Sequence, residues 1–221
     1  MLTSIFLYTW VEALLDTSAS STLLPSILAL LFFKKQSTPL KYLSYLLWVA
    51  TVVEISAYIL GTYKIPNLPL LHIYVIIEFA LLAWMYQLYL YRFYPKYLIP
   101  IVIVGFTLLS ILNSIFIQTI YTFNTYARAL ENLLLIVFAL SFFYKLLKEL
   151  KIKYLEKKPI FWINTGILIY FSGSLFIFIF SNFLVTRREL NTQMWIIHAF
   201  LNIFHNVFYA IGLWLSRENS E

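Results

Sequence analysis

Long apolar runs separated by short polar connections make up nearly the whole chain. Seven such runs, over residues 18–34, 40–61, 69–91, 97–117, 126–148, 159–185 and 192–216, approach the ~20 residues a helix needs to cross a hydrocarbon core. A backbone surrounded by lipid must satisfy its own hydrogen bonds, so each run is expected to be a helix. The first run is the weakest. Only Thr22 to Phe33 is free of charge and strong polarity, and Ser18 to Ser21 must extend it. Pro39, Pro66, Pro69, Pro95 and Pro159 fall in connections or at run starts, where a missing N–H costs little. Pro25 falls inside the first run and predicts a kink.

Residues 2–16 follow a different pattern. Thr9, Glu12 and Asp16 recur at helical spacing, with Ile5, Phe6, Trp10, Leu14 and Leu15 on other faces. An amphipathic helix lying at the membrane surface is expected there, with a helix fused to the first span as the alternative. The expected organisation is an amphipathic surface helix over 1–17, a seven-helix transmembrane domain over 18–216 and a tail over 217–221. The fold class is all-α, a polytopic transmembrane bundle.

Composition supports this reading. Apolar residues make up 62% of the 221 and charged residues 12%, and mean hydropathy is +0.82. Soluble domains are nearer half apolar and a quarter charged. There is no cysteine, which excludes disulfides, thiolate metal sites and cysteine nucleophiles. The short connections leave no room for a kinase, nucleotide-binding or DNA-binding domain. The net charge of +6 would suggest nucleic acid in a soluble protein; here orientation explains it better, and no nucleic-acid partner is expected. Lys34, Lys35, Lys41, Arg92, Lys96, Lys145, Lys148, Lys151, Lys153, Lys157, Lys158 and Arg217 form one set of connections and ends, and Lys64, Arg128, Arg187 and Arg188 the other. Twelve against four places the first set in the cytoplasm, with the N-terminus outside and the C-terminus cytoplasmic, in a bacterial inner membrane. The six lysines from Lys145 to Lys158 read as a topology anchor, or as a site for anionic lipid or a cytoplasmic signalling partner.

Candidate chemistry lies where polar groups interrupt apolar runs. A carboxylate at a span centre costs ~2.5–3.5 kcal/mol on insertion scales. Glu54, Glu78 and Glu131 sit on the second, third and fifth spans, all in the half expected to face outward. His72 and Asn182 belong to the same half. On the last span His198, Asn202 and His205 share one face over two turns, followed by Asn206. Arg128, one turn from Glu131, is the basic residue nearest to any of these acids in the chain. The convergence of depths predicts an outward-facing polar cavity.

Three readings of that cavity remain open. It binds a small ligand, lipid headgroup or cation, with no cofactor and with a cytoplasmic partner receiving the signal. Alternatively His198, His205 and Glu78 hold a divalent metal for lipid hydrolysis, although zinc-binding helices usually place their histidines four apart rather than seven. Or the groups only hydrogen-bond between helices. A proton-coupled transporter is a further alternative; neither duplicated halves nor broken helices are evident for it. Gly166 and Gly173 share a face that allows close helix approach. Trp10, Trp162, Trp195 and Trp214 fall near expected interfaces and read as anchors, while Trp48 and Trp84 lie deeper.

Leu24-Pro25 after a polar stretch, Leu71-His72 followed by Glu78, and the closing run from His205-Asn206-Val207-Phe208-Tyr209 to Gly212-Leu213-Trp214 carry a resemblance. In these features, across most of its length, the chain resembles a set of small seven-helix integral membrane proteins of Bacteroidota. Similar proteins are often encoded near sensor histidine kinases, which implies a sensory role and supplies no catalytic residues. Retinal-binding rhodopsins fit less well, since no lysine occurs from Asn191 to Leu215. Ceramidase-like membrane hydrolases use more histidines than the three present.

Overall fold

The computed structural model describes the backbone of residues 2–149, 154–184 and 188–217, and the side chains of these apart from 2–8, 180–184 and 188. Its helices are α1 (Leu2–Ser20), α2 (Leu23–Phe32), α3 (Thr38–Thr62), α4 (Leu68–Tyr89), α5 (Leu98–Phe116), α6 (Thr125–Glu149), α7 (Pro159–Leu184) and α8 (Arg188–Leu215), with 3₁₀ turns at Phe33–Lys35 and Leu155–Lys157. Among the described residues the fold is all-α, and seven helices are long and apolar enough to cross a membrane. The shortest, α5, has 19 residues and rises about 28 Å. These helices make the chain an integral membrane protein.

The first membrane-length stretch is Thr9–Lys35, so it begins well before residue 18, and the boundary expected at residue 17 falls inside α1. The helical path is interrupted at Ser21–Thr22, one turn before Pro25. Proline has no N–H to give the carbonyl four residues back and its ring crowds that carbonyl. The Ser21 carbonyl instead accepts from the Leu24 amide at 3.3 Å, and the Thr22 carbonyl takes both the amide (3.2 Å) and the hydroxyl (2.8 Å) of Ser26.

Proline at the first positions opens α3 and α4, and Pro159 opens α7. Past the end of α3, Lys64 adopts φ 58°, the left-handed region, while its amide bonds to the Gly61 carbonyl (3.0 Å) and that of Ile65 to the Leu60 carbonyl (2.9 Å). This is the Schellman closure, with lysine where glycine is usual. It turns the chain sharply into α4.

Consecutive membrane-length helices pack in chain order, and α8 packs back onto α1 and α2, which closes a ring. Within it α4 also meets α6, with Phe79, Tyr86 and Phe138 in ring contact. Buried Leu43, Leu47, Leu82, Leu135, Ile163 and Phe171 fill the remaining core. The polarity is inverted relative to a soluble protein: Leu30, Ile101, Ile115 and Phe176 are more than 60% exposed, whereas Glu131 and Asn164 are 0% exposed. Only a surrounding lipid phase makes that distribution favourable.

Glycines bring α7 and α8 close. A Cβ at Gly166 would stand 2.7 Å from the Phe208 Cβ, one at Gly173 would stand 2.5 Å from a Leu201 methyl, and one at Gly212 would meet Ile163 at 2.5 Å and the Pro159 carbonyl at 2.8 Å. Backbone proximity of this kind lets dispersion replace the hydrophobic drive that lipid does not provide.

Candidate functional site

At the end of the bundle where α3 stops, α4 begins and α6 begins, the helices enclose a cavity of about 310 Å³. That is within the size range of small-molecule sites. Its wall includes Glu54 of α3, His72, Tyr74 and Glu78 of α4, Arg128 of α6, Tyr170 and Phe178 of α7, and Trp195, His198, Asn202, His205, Asn206 and Tyr209 of α8.

An ion triad lies on one side. Arg128 Nη1 donates to Glu78 Oε2 and, at 3.0 Å, to Glu131 Oε2. The Tyr74 hydroxyl donates to Glu78 Oε1 at 3.1 Å, and the guanidinium lies over the Tyr74 ring. The Glu131–Arg128 pairing follows from helical spacing of three; Glu78 comes from another helix. Glu131 stands behind the cavity wall, and its Oε1 is buried with no hydrogen-bond partner among the described residues.

His72 is held on both ring nitrogens, Nδ1 to the Ser114 hydroxyl (2.8 Å) and Nε2 to the Thr122 carbonyl (2.9 Å). It ties α4 to α5 and to the connection before α6. Beside it Asn113 Nδ2 donates to Asn124 Oδ1 at 2.9 Å and Gln118 Nε2 to the Thr125 hydroxyl at 2.7 Å, which fixes that connection over the cavity.

Aromatic and imidazole rings form the opposite wall. Tyr170 stacks on His205 with centroids 4.4 Å apart and planes 4° apart, and its hydroxyl lies 3.3 Å from His198 Nε2. Tyr209 packs on the other edge of His205 at 4.0 Å, and Trp195 contacts both His198 and Phe123. His205 Nε2 and the Tyr209 hydroxyl are buried without hydrogen-bond partners among the described residues. Such orphans are rare in folded proteins.

The polar stripe of α8 also reaches the chain break. Asn202 Nδ2 donates to the carbonyl and the hydroxyl of Ser18, each at 3.0 Å, and Asn206 Nδ2 donates to the Ser21 hydroxyl at 2.8 Å. These side chains supply the bonding that the interrupted helix lacks between α1 and α2.

Glu54 has no hydrogen bond or ion pair among the described residues. It lies at the border of the cavity and a second, more open hollow of about 680 Å³, lined by Asp16, Ser20 and Leu23 on one side and Ile55 and Tyr58 on the other.

Of the nine residues expected at the site, Glu54, His72, Glu78, Arg128, His198, Asn202 and His205 line one cavity, and Glu131 backs it. The Asn182 side chain lies outside the described residues. His198, His205 and Glu78 all line the cavity, and among the described residues no group of three or more histidines, aspartates or glutamates is close enough together to hold a metal ion. Tyr170 packs against both histidines. Trp195, expected as an anchor, is part of the cavity wall. Tyr74, Tyr170, Tyr209 and Asn206 belong to the site as well. No protein-family model, curated protein or solved structure matches the chain.

Proposed function

We propose that the chain is a receptor- or sensor-like protein of the bacterial inner membrane. It binds a small ligand, a lipid headgroup or a cation in the polar cavity and passes the binding event to a cytoplasmic partner. In this reading the N-terminus and the cavity mouth face outward, because twelve lysines and arginines belong to the opposite set of connections and only four to this one. The basic connection between α6 and α7 and the end of α8 face the partner.

The observation that carries the reading is the cavity itself. A purely structural polar cluster is best served by close packing, which leaves no forfeited contacts. Here about 310 Å³ is left open beside polar groups drawn from α3, α4, α6, α7 and α8. Water takes about 30 Å³ per molecule in the liquid, so the space suits several waters or one small molecule. Coupling has a physical route, since Asn202 and Asn206 both line the cavity and hold the α1–α2 break.

The test is thermal unfolding of the purified protein in detergent against a panel of small cations, anions, zwitterions and neutral polar compounds. At a concentration of 100 times Kd, a bound ligand stabilises by about 2.7 kcal/mol. Ala50 lines the cavity, and Ala50→Trp is expected to abolish the shift. A shift that survives in Ala50→Trp, or a melting temperature indifferent to every class of compound, would overturn the reading.

A further inference from the structure

We propose that the cavity takes an ammonium group, and that Glu54 is the carboxylate that receives it. This rests on the reading above that the cavity binds a ligand.

Formal charge around the cavity is the first argument. Among the described residues Glu54 and Glu78 line it and Glu131 backs it, against the single guanidinium of Arg128. That guanidinium is already engaged by Glu78 and Glu131. An anionic ligand would have to compete with two carboxylates for one cation, and would meet the field of the third. A cationic ligand meets no such conflict.

The second argument is the carboxylate of Glu54. Glu54 is an exposed residue of a membrane-length helix, and its carboxylate is without a hydrogen bond or ion pair among the described residues. It lines both the cavity and the second hollow, and that hollow carries Asp16, a further acid. A cation in the second hollow meets both Asp16 and Glu54.

Third, the wall suits an alkylated nitrogen. Tyr170, Phe178, Trp195 and Phe123 present aromatic rings to the cavity, and ring faces attract cations, most strongly where water is excluded. His205 is 6% exposed and Tyr209 2% exposed; both line the cavity and retain an unsatisfied polar atom. These are wall groups with no hydrogen-bond partner among the described residues.

The same ammonium chemistry arrives from two sources. One is a free amine in the aqueous phase. The other is the headgroup of an amine-bearing lipid, because the second hollow is flanked by apolar Leu23, Ile55 and Tyr58, all at least 46% exposed, on which an acyl chain can lie.

The experiment is equilibrium titration of the purified full chain in detergent with choline, with ethanolamine and with 3,3-dimethylbutan-1-ol, the neutral isostere of choline. Saturable binding of an amine is expected, with the neutral isostere at least tenfold weaker. Glu54→Gln is expected to weaken amine binding about tenfold, the equivalent of ~1.4 kcal/mol. Glu54→Asp should recover part of the loss, and the melting temperature of both variants without ligand should match the wild type, which separates lost binding from lost folding.

Equal affinity for the neutral isostere, or full choline affinity in Glu54→Gln, would overturn the proposal. So would a protein that binds only anionic or neutral probes in a manner abolished by Ala50→Trp. That last outcome leaves the ligand-binding reading standing, whereas binding of no probe of any charge removes both. The source is read in nanodiscs: competition of choline by phosphatidylethanolamine but not by phosphatidylglycerol assigns a lipid amine, and unchanged choline affinity in both assigns a free one.

Discussion

Replacing Arg128 with methionine tests the internal electrostatics most directly. Its Nη1 stands 3.0 Å from Glu131 Oε2 and also bonds Glu78 Oε2, and the three side chains are only 15%, 0% and 7% exposed. At 3.0 Å and an effective dielectric of ~20, one such pair has a gross attraction of ~5 kcal/mol. Desolvation of the charges offsets most of this, so the intact triad is near break-even. Removal of one partner is not. Arg128→Met leaves two carboxyl groups beside each other without a counter-charge, and breaking a buried pair in this way costs ~3–5 kcal/mol. The triple variant Arg128→Met/Glu78→Gln/Glu131→Gln removes all three charges while conserving volume, and is expected to recover more than half of that loss. The assay is reversible unfolding from mixed micelles on titration with sodium dodecyl sulfate, followed by tryptophan fluorescence. An Arg128→Met variant within about 1 kcal/mol of wild type would refute the reasoning, since about 1 kcal/mol is all that a solvated pair contributes. A triple variant no more stable than the single one would refute it equally.

Two further outcomes follow from the geometry. Gly212→Ala is expected to cost ~1–3 kcal/mol in the same unfolding assay, because its Cβ would press on the Pro159 carbonyl at 2.8 Å and on Ile163. Gly105→Ala, on a helix with nothing within 4 Å of the new Cβ, should be neutral or gain up to ~1 kcal/mol; equal effects at the two positions would contradict the packing. The absence of cysteine from the chain allows orientation to be read by single-cysteine labelling. In intact cells Lys64→Cys should react with an impermeant maleimide and Lys157→Cys only after the membrane is opened. The reverse pattern would turn the cavity mouth to the cytoplasm.

Much of the fold was legible because membrane helices advertise themselves by length and apolarity. The runs expected over 69–91, 159–185 and 192–216 correspond to α4 (Leu68–Tyr89), α7 (Pro159–Leu184) and α8 (Arg188–Leu215). The N-terminal region was less legible. Glu12 and Asp16 lower the local hydropathy, so residues before Ser18 looked like a separate surface element, although the membrane-length stretch begins at Thr9. The chain break was visible in Pro25 alone. Its position also depends on Asn202 and Asn206, which bond to Ser18 and Ser21 across 184 and 185 residues of sequence. No local pattern carries that information, because each asparagine by itself reads as an interhelical hydrogen bond with no stated partner.

The candidate site divides along the same physical line. Charged and imidazole groups inside apolar runs were conspicuous because burying them is costly, and six of them line one cavity. Their individual roles were not conspicuous. Helical spacing placed Arg128 beside Glu131, but Glu78, 50 residues earlier, shares the same nitrogen only because α4 meets α6 within the ring. The chain has 17 tyrosines and 20 phenylalanines, so Tyr170, which stacks on His205 and bonds His198, could not be distinguished from rings that face lipid. The cost of an isolated charge in a bilayer therefore explains why the acids were findable and why Arg128 is saturated by them. It also gives Glu54 its weight, as the one of the three span acids that no described side chain or backbone group answers.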